Sequence, residues 1–256
     1  MLKKLSVLMG YKLKAKDGEM GKVKDAYFED CSWSIRYIVS DTGKWFLGKK
    51  VLMIPLVLGR PDEKRKEIPV DLTQAQIKQC PNIDVTKPVS RQQEMDLHRF
   101  FKWLPYWDPS DRNEIGGTIP PDYEAGKNNQ KGLKIPSGGD DVKQCHLRSL
   151  AEVKKYFIFA RDGGDIGKVK DFIIEIPAWA NRYVVVDTGN WLPGKKVLIS
   201  PQWIEKIRWV EQRVYVDLSR EEIESSPEYD PSKPVERQYD VELHKHYRRS
   251  RNWKKP

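Results

Sequence analysis

Residues 36–55 read RYIVSDTGKWFLGKKVLMIP, and residues 182–201 read RYVVVDTGNWLPGKKVLISP. The offset of 146 positions holds without a gap from Gly21/Gly167 through Asp41/Asp187 and Pro55/Pro201 to His98/His244. Upstream, one extra residue beside Gly163 and Gly164 changes the offset to 145, which aligns Tyr11 with Tyr156, Ala15 with Ala160 and Asp17 with Asp162. A period this long exceeds that of solenoid repeats, so each copy reads as a whole domain. The layout predicted from it is a domain at 1–104, a linker at 105–145, a second domain at 146–247 and a basic tail at 248–256.

Within the first copy, short apolar runs at Tyr11 to Ala15, Lys22 to Phe28, Ile35 to Asp41, Val51 to Val57 and Glu67 to Val70 are separated by Gly, Asp and Pro signals and predict strands. Asp17-Gly18 and Asp162-Gly163 are tight-turn dipeptides, and DTG at 41–43 and 187–189 is another turn signal. The β-branched and aromatic side chains of Tyr37, Ile38 and Val39 suit a central strand. Thr73 with Gln76, and Ser219 with Glu222, have capping-box spacing, with Leu72/Ile77 and Leu218/Ile223 as hydrophobic staples; Pro81 and Pro227 then stop the helix. A second helix is predicted after DVTKPVSRQQ, with Leu97, Phe100, Phe101 and Leu104 as its buried stripe. Between the copies, residues 105–144 hold five prolines and six glycines and no period, the composition of an irregular linker.

With 256 residues, 39% hydrophobic and 32% charged, the composition is that of a globular protein and excludes a fibrous one. The longest apolar run, Val51 to Leu58, is too short to span a bilayer, and Met1-Leu-Lys-Lys lacks the apolar core of a signal peptide, so the cytoplasm is the expected location. Three cysteines, Cys31, Cys80 and Cys145, form an odd set without metal-ligand spacing, which argues against disulfide, zinc and thiol chemistry. Of the formal charge of +9, six cations fall in the last twelve residues, where no acid accompanies them. That short tail, with Arg248, Arg249 and Arg251, could meet RNA or anionic lipid, or be a solvated end.

The segments DGEMGKVKDAYFED, IRYIVSDTGKWFLGKKVLMIP and VDLT, with their second-copy partners, resemble the PRC-barrel family. The resemblance covers both repeats and implies a mostly β fold: two small antiparallel PRC-type β-barrels, each followed by short helices and joined by the irregular linker. The family includes the cytoplasmic domain of the photosynthetic reaction centre H subunit and the C-terminal domain of the ribosome maturation factor RimM. It implies binding to macromolecules and no catalysis. The expected role is therefore a non-catalytic scaffold or adaptor with protein partners, associated through the H-subunit likeness with a membrane electron-transfer complex and peripheral to the inner membrane. The alternative is an RNA- or ribosome-associated factor of RimM-like type. The resemblance extends neither to the H subunit's membrane-spanning helix nor to RimM's separate N-terminal domain, so neither relative's function is expected to transfer directly.

No catalytic residue, cofactor, metal or small-molecule substrate is expected. Asp25, Asp41, Lys49 and Lys50 recur as Asp171, Asp187, Lys195 and Lys196, and recurrence in both copies favours a fold requirement, with the aspartates bonding turn backbone and the lysines on exposed strand ends. Asp41, Trp45, Gly48, Asp187, Trp191 and Gly194 are the shared structural set. His98 and His244 align as surface or cap histidines, with Lys102 where a second ligand at i+4 would stand. The unshared aromatics Phe100, Trp103, Tyr106, Trp107, Trp203 and Trp209 are the candidate partner-binding residues, along with Arg248, Arg249 and Arg251; the alternative for the aromatics is folding back on their own domain.

Overall fold

The computed structural model describes residues 1–43, 48–85, 87–107, 145–189 and 191–249. In chain order the first half contains β1 (Leu2–Lys4), α1 (Leu5–Leu8), β2 (Lys12–Ala15), β3 (Gly18–Glu29), β4 (Ile35–Asp41), β5 (Lys50–Met53), β6 (Glu67–Pro69), α2 (Gln74–Gln79) and α3 (Arg91–Phe101). The second half contains β7 (Leu147–Ser149), α4 (Leu150–Val153), β8 (Phe157–Phe159), β9 (Asp165–Glu175), β10 (Ala180–Asp187), β11 (Lys196–Ile199), β12 (Ile204–Arg208), β13 (Arg213–Val216), α5 (Arg220–Glu224) and α6 (Arg237–His246).

The chain is mostly β, in two sheets with matching strand orders, β5-β4-β3-β2-β6 and β11-β10-β9-β8-β13-β12. Two features depart from the antiparallel barrels expected from sequence. β2 pairs with β6, and β8 with β13, in parallel. Among the described residues no ladder joins the outer strands, so the sheets are open rather than closed barrels. The expected strand to Val57 also stops early: Pro55 starts a 3₁₀ turn at Pro55–Val57, and Pro201 does the same at Pro201–Trp203. Proline's fixed φ and missing N–H suit the first position of a helical turn and not a central ladder.

Glycine is required where β3 runs against β4 and β9 against β10. Gly21 has φ +130° and Gly167 +124°, and a Cβ at either would run into the backbone carbonyl of Asp41 or Asp187. The helix signals are realised as well. Thr73 and Ser219 each accept from the third helical N–H while Gln76 and Glu222 reach back, and Ser90 caps α3 with Gln93 in the same way. On α3, Leu97 is buried as expected, but Phe100 is exposed and Leu104 lies beyond the helix end.

What the sequence did not announce is an exchange of strands. β1 leaves its own half and pairs with β9 (Leu2↔Glu175, Lys3↔Ile174, Lys4↔Ile173). β7, the opening of the second half, pairs with β3 in the first (Tyr27↔Ser149, Phe28↔Arg148, Glu29↔Leu147). The short helices that follow go with them, burying Leu5 and Leu8 of α1 and Leu150 and Val153 of α4. Buried apolar residues of both halves consequently form one contiguous cluster.

A disulfide joins Cys31, in the β3–β4 turn, to Cys145, two residues before β7. This overturns the reading of the cysteines as non-bonding. An odd count left one over, and that one is Cys80, buried and free; the pairing was hidden because its partners are 114 residues apart.

Candidate functional site

The recurring polar residues are tied into the framework. Asp41 Oδ1 accepts from Gly43 N at 3.0 Å, and Asp187 Oδ1 from Gly189 N at 3.2 Å. These are the turn bonds expected of them; Asp41 also pairs with Lys50, and its carboxyl is held below the usual range by Lys50 and the Gly43 N–H. Gly48 and Gly194 both adopt left-handed φ, +73° and +82°. Trp191 lies under the Arg220 guanidinium at 4.7 Å, and Trp45 falls outside the described residues. The lysines are placed differently from expectation. Lys49 Nζ donates to the carbonyls of Ile77, Lys78 and Cys80 at the end of α2, and Lys195 Nζ to Glu224 O at the end of α5. There a cation meets unpaired helix carbonyls and the negative end of the helix.

Asp25 and Asp171 serve the exchange. Asp25 Oδ2 accepts from Ser149 Oγ at 2.5 Å and Oδ1 from Ala151 N at 3.1 Å, so a first-half carboxylate receives the start of α4. Asp171 Oδ1 accepts from Ser6 N at 3.2 Å and lies 3.5 Å from Lys154 Nζ, receiving α1 in the second half. Burial pushes the Asp25 carboxyl up from its ordinary range, against the hydrogen bonds that lower it.

The seam between the halves is completed by the two β-hairpin turns. Trp33 and Trp179 both have positive φ, 57° and 48°. In this strained conformation their carbonyls cross the seam: Trp179 O accepts from Ile35 N at 2.9 Å, and Trp33 O from Asn181 N at 3.2 Å. Trp33 stacks on Phe28 at 4.6 Å and approaches Phe172 of the other half at 6.5 Å.

The aligned histidines are not on the surface. His98 is 4% exposed and His244 6%, each inside a cluster with a tyrosine and an acid one helical turn before it. Tyr37 Oη lies 3.0 Å from Glu94 Oε2 and 2.7 Å from His98 Nε2, and His98 Nδ1 lies 3.1 Å from Leu104 O. In the second half Tyr183 bonds to Asp240 and lies 3.3 Å from His244 Nε2. Burial pushes His98 down to about 4, raises the Glu94 carboxyl, and with the Glu94 charge lifts the hydroxyls of Tyr37 and Tyr106 well above their ordinary range. The signal was present in the sequence as an acid four residues before each aligned histidine. Buried polar networks of this kind fix packing.

Aromatic side chains pack around both clusters. In the first, the segment after α3 folds back: Tyr106 Oη donates to Glu94 Oε2 at 2.7 Å, the Arg36 guanidinium sits 4.3 Å over the Tyr106 ring, and Trp107 lies 4.9 Å from His98 with the Arg91 guanidinium over its ring at 4.4 Å. Trp103 is buried and stacked on Phe101 at 4.2 Å, whereas Phe100 is exposed. In the second copy Trp203 is buried against His244 and Tyr247, and Trp209 lies under the Arg148 guanidinium at 4.1 Å. Arg248 is exposed, Arg249 Nη2 bonds Asp217 Oδ2 at 2.6 Å, and Arg251 is outside the described residues.

Among the described residues, a cleft of about 750 Å³ lies between the halves. It runs from the Cys31 turn of the first half to β10 and β12 of the second, and Trp33, Asn181, Arg182, Tyr183, Trp209 and His244 are among its lining residues. Asp30 and both sulfurs of the disulfide cluster within 4.8 Å at its rim, but sulfurs bonded to each other offer no thiolate to a metal.

A PRC-barrel domain is found at residues 147–223, which span β7 to α5. No curated protein matches the chain.

Proposed function

We propose that the chain is a non-catalytic scaffold in which two PRC-type modules, the second at 147–223 and the first in the preceding half, share strands and present surfaces to macromolecular partners. The observation that carries this reading is the employment of the recurring polar residues. Asp25, Asp41, Lys49 and their second-half counterparts are committed to turns, helix ends and the seam, whereas a catalytic set would converge on one substrate position. PRC-barrel domains often mediate protein interactions, which makes a protein the first partner to seek.

The likeness to the reaction centre H subunit makes a membrane electron-transfer complex the first candidate. No helix among the described residues is long and apolar enough to cross a membrane, so association would be peripheral unless supplied by another chain. The disulfide favours an oxidising compartment over the cytoplasm expected from the sequence. The RNA-binding alternative draws less support, since Arg249 is engaged by Asp217.

The test is affinity capture by the intact protein from detergent-solubilised membranes and from soluble extract of the native host, followed by reconstitution with each purified candidate. A stoichiometric complex upholds the scaffold reading. Failure to form one with any protein, together with salt-sensitive sedimentation on ribosomes, would replace it with the alternative.

A further inference from the structure

Each cysteine of the disulfide stands beside a second residue of metal-binding type: Asp30-Cys31 in the β3–β4 turn, and Cys145-His146 at the entry to β7. No ligand spacing announces such a set, because its two dipeptides are 114 residues apart. More than the sulfur–sulfur bond holds them together. Asp30 N donates to His146 O at 3.0 Å, His146 N donates to Asp30 Oδ1 at 2.8 Å, and the β3–β7 ladder continues from them at Glu29↔Leu147. Reduction therefore leaves the two thiols as neighbours. A carboxylate oxygen of Asp30 and both sulfurs already lie within 4.8 Å of one another. His146 Nδ1 is 3.7 Å from Asp30 Oδ2, on a half-exposed side chain that is free to turn.

We propose that the chain, once reduced, binds one Zn²⁺ at this place through Cys31 Sγ, Cys145 Sγ and an Asp30 carboxylate oxygen, with the His146 imidazole closing the fourth position. Thiolate, imidazole and carboxylate are the ligands of tetrahedral zinc, and the thiolates select it over the harder divalent ions. Two thiolates on one such ion stand about 3.8 Å apart, a separation that side chains on Cα atoms 5.5 Å apart reach by rotation. Two thiolates and Asp30 carry three negative charges, which the ion and Arg148, with Nε 3.5 Å from Asp30 Oδ2, balance. Cys31 is exposed, so a dithiol reductant reaches the bond. The dithiol gives up two electrons and two protons and closes its own disulfide, while the Cys31–Cys145 bond breaks into two thiols. Zn²⁺ then replaces the two thiol protons, which pass to solvent. The oxidised and metal-bound forms exclude each other, yet either one ties the β3–β4 turn to the strand that the second half lends to the first. The lent strand β7 is thus fastened in oxidising and in reducing surroundings alike, whatever partner the chain has.

The probe is Co²⁺, a spectroscopic stand-in for Zn²⁺, titrated without oxygen into the full chain after reduction on an immobilised dithiol resin. One equivalent is expected to bind with the near-ultraviolet thiolate band and the visible bands of a tetrahedral site, to be displaced by Zn²⁺, and to be refused by the oxidised chain. Loss of a group that only orients a ligand costs about 10–100-fold in metal affinity, so Cys31→Ser, which removes a thiolate, should cost at least about a hundredfold. His146→Ala should weaken binding and keep the thiolate band, and Cys80→Ser, at the free and buried cysteine, should change nothing. Zn²⁺ should raise the melting temperature of the reduced chain and leave that of the Cys31→Ser/Cys145→Ser double variant where it was. That contrast separates a site in the folded protein from thiols that collect metal in an unfolded one. The proposal is overturned by a reduced chain without a thiolate band at one equivalent, by binding that survives the double variant or depends on Cys80, or by a melting temperature that Zn²⁺ lowers or leaves unchanged.

Discussion

The Asp25 carboxylate and the Ser149 hydroxyl meet at 2.5 Å although 124 residues separate them in the chain. Together with the bond to Ala151 N, this places the start of the second half under the control of a side chain in the first. Asp25→Ala leaves the Ser149 hydroxyl and an α4 backbone N–H without their acceptor and is expected to cost about 1–3 kcal/mol. Urea unfolding at constant m-value reads it, and Asp25→Asn, which keeps one acceptor oxygen, should recover part of the loss. A full-strength Asp25→Ala variant would mean that the seam is held elsewhere.

Deleting residues 1–8 is expected to injure the second half more than the first. The deletion removes β1 from β9 and takes Leu5 and Leu8 out of the core. Hydrogen exchange should accelerate first at Ile173, Ile174 and Glu175, while Lys50–Met53 on β5 keeps its protection. Loss confined to the first half would contradict the exchange of strands.

Reduction should lower stability substantially. For two cysteines 114 residues apart, chain-entropy reasoning gives about 5 kcal/mol as an upper figure. Cys31→Ser should melt where the reduced wild-type chain melts and should not respond to dithiothreitol. A variant that melts with the oxidised protein would show that the cross-link contributes nothing.

His98 makes stability fall in mild acid. Its folded value is pushed down to about 4 by burial, against about 6.5 for an unfolded histidine. Between these values the unfolded chain binds the proton and the native chain does not, so stability rises with pH across that window and is fully present above it. The difference corresponds to about 3 kcal/mol at most. Urea midpoints measured from pH 7.5 to 4.5 should drop, and His98→Gln should flatten the drop; an unchanged slope would show that the titrating group is another.

Local chemistry was the legible part of this fold. The capping boxes at Thr73 and Ser219, the Asp41 and Asp187 turns, and the strand from Ile35 to Asp41 could be read from neighbouring residues, because their partners lie within a few positions. What could not be read depended on distant partners. β1 and β7 are three residues long, too short for a periodic signal, and their pairing lies in the other half. Lys49 looked like a strand-end lysine because the helix end it caps is brought to it only by folding. The histidines were placed outside because each was weighed alone, without the acid a turn earlier and the tyrosine on β4 or β10.

The traded strands also bear on how such a protein can be taken apart. Neither half is a finished object, since each would be born with one edge of its sheet unclothed and one stray strand seeking a host. Expressed separately, the halves should find each other, or twins of themselves, before either rests as a monomer. The one chain thus joins two halves that were never given the choice of parting.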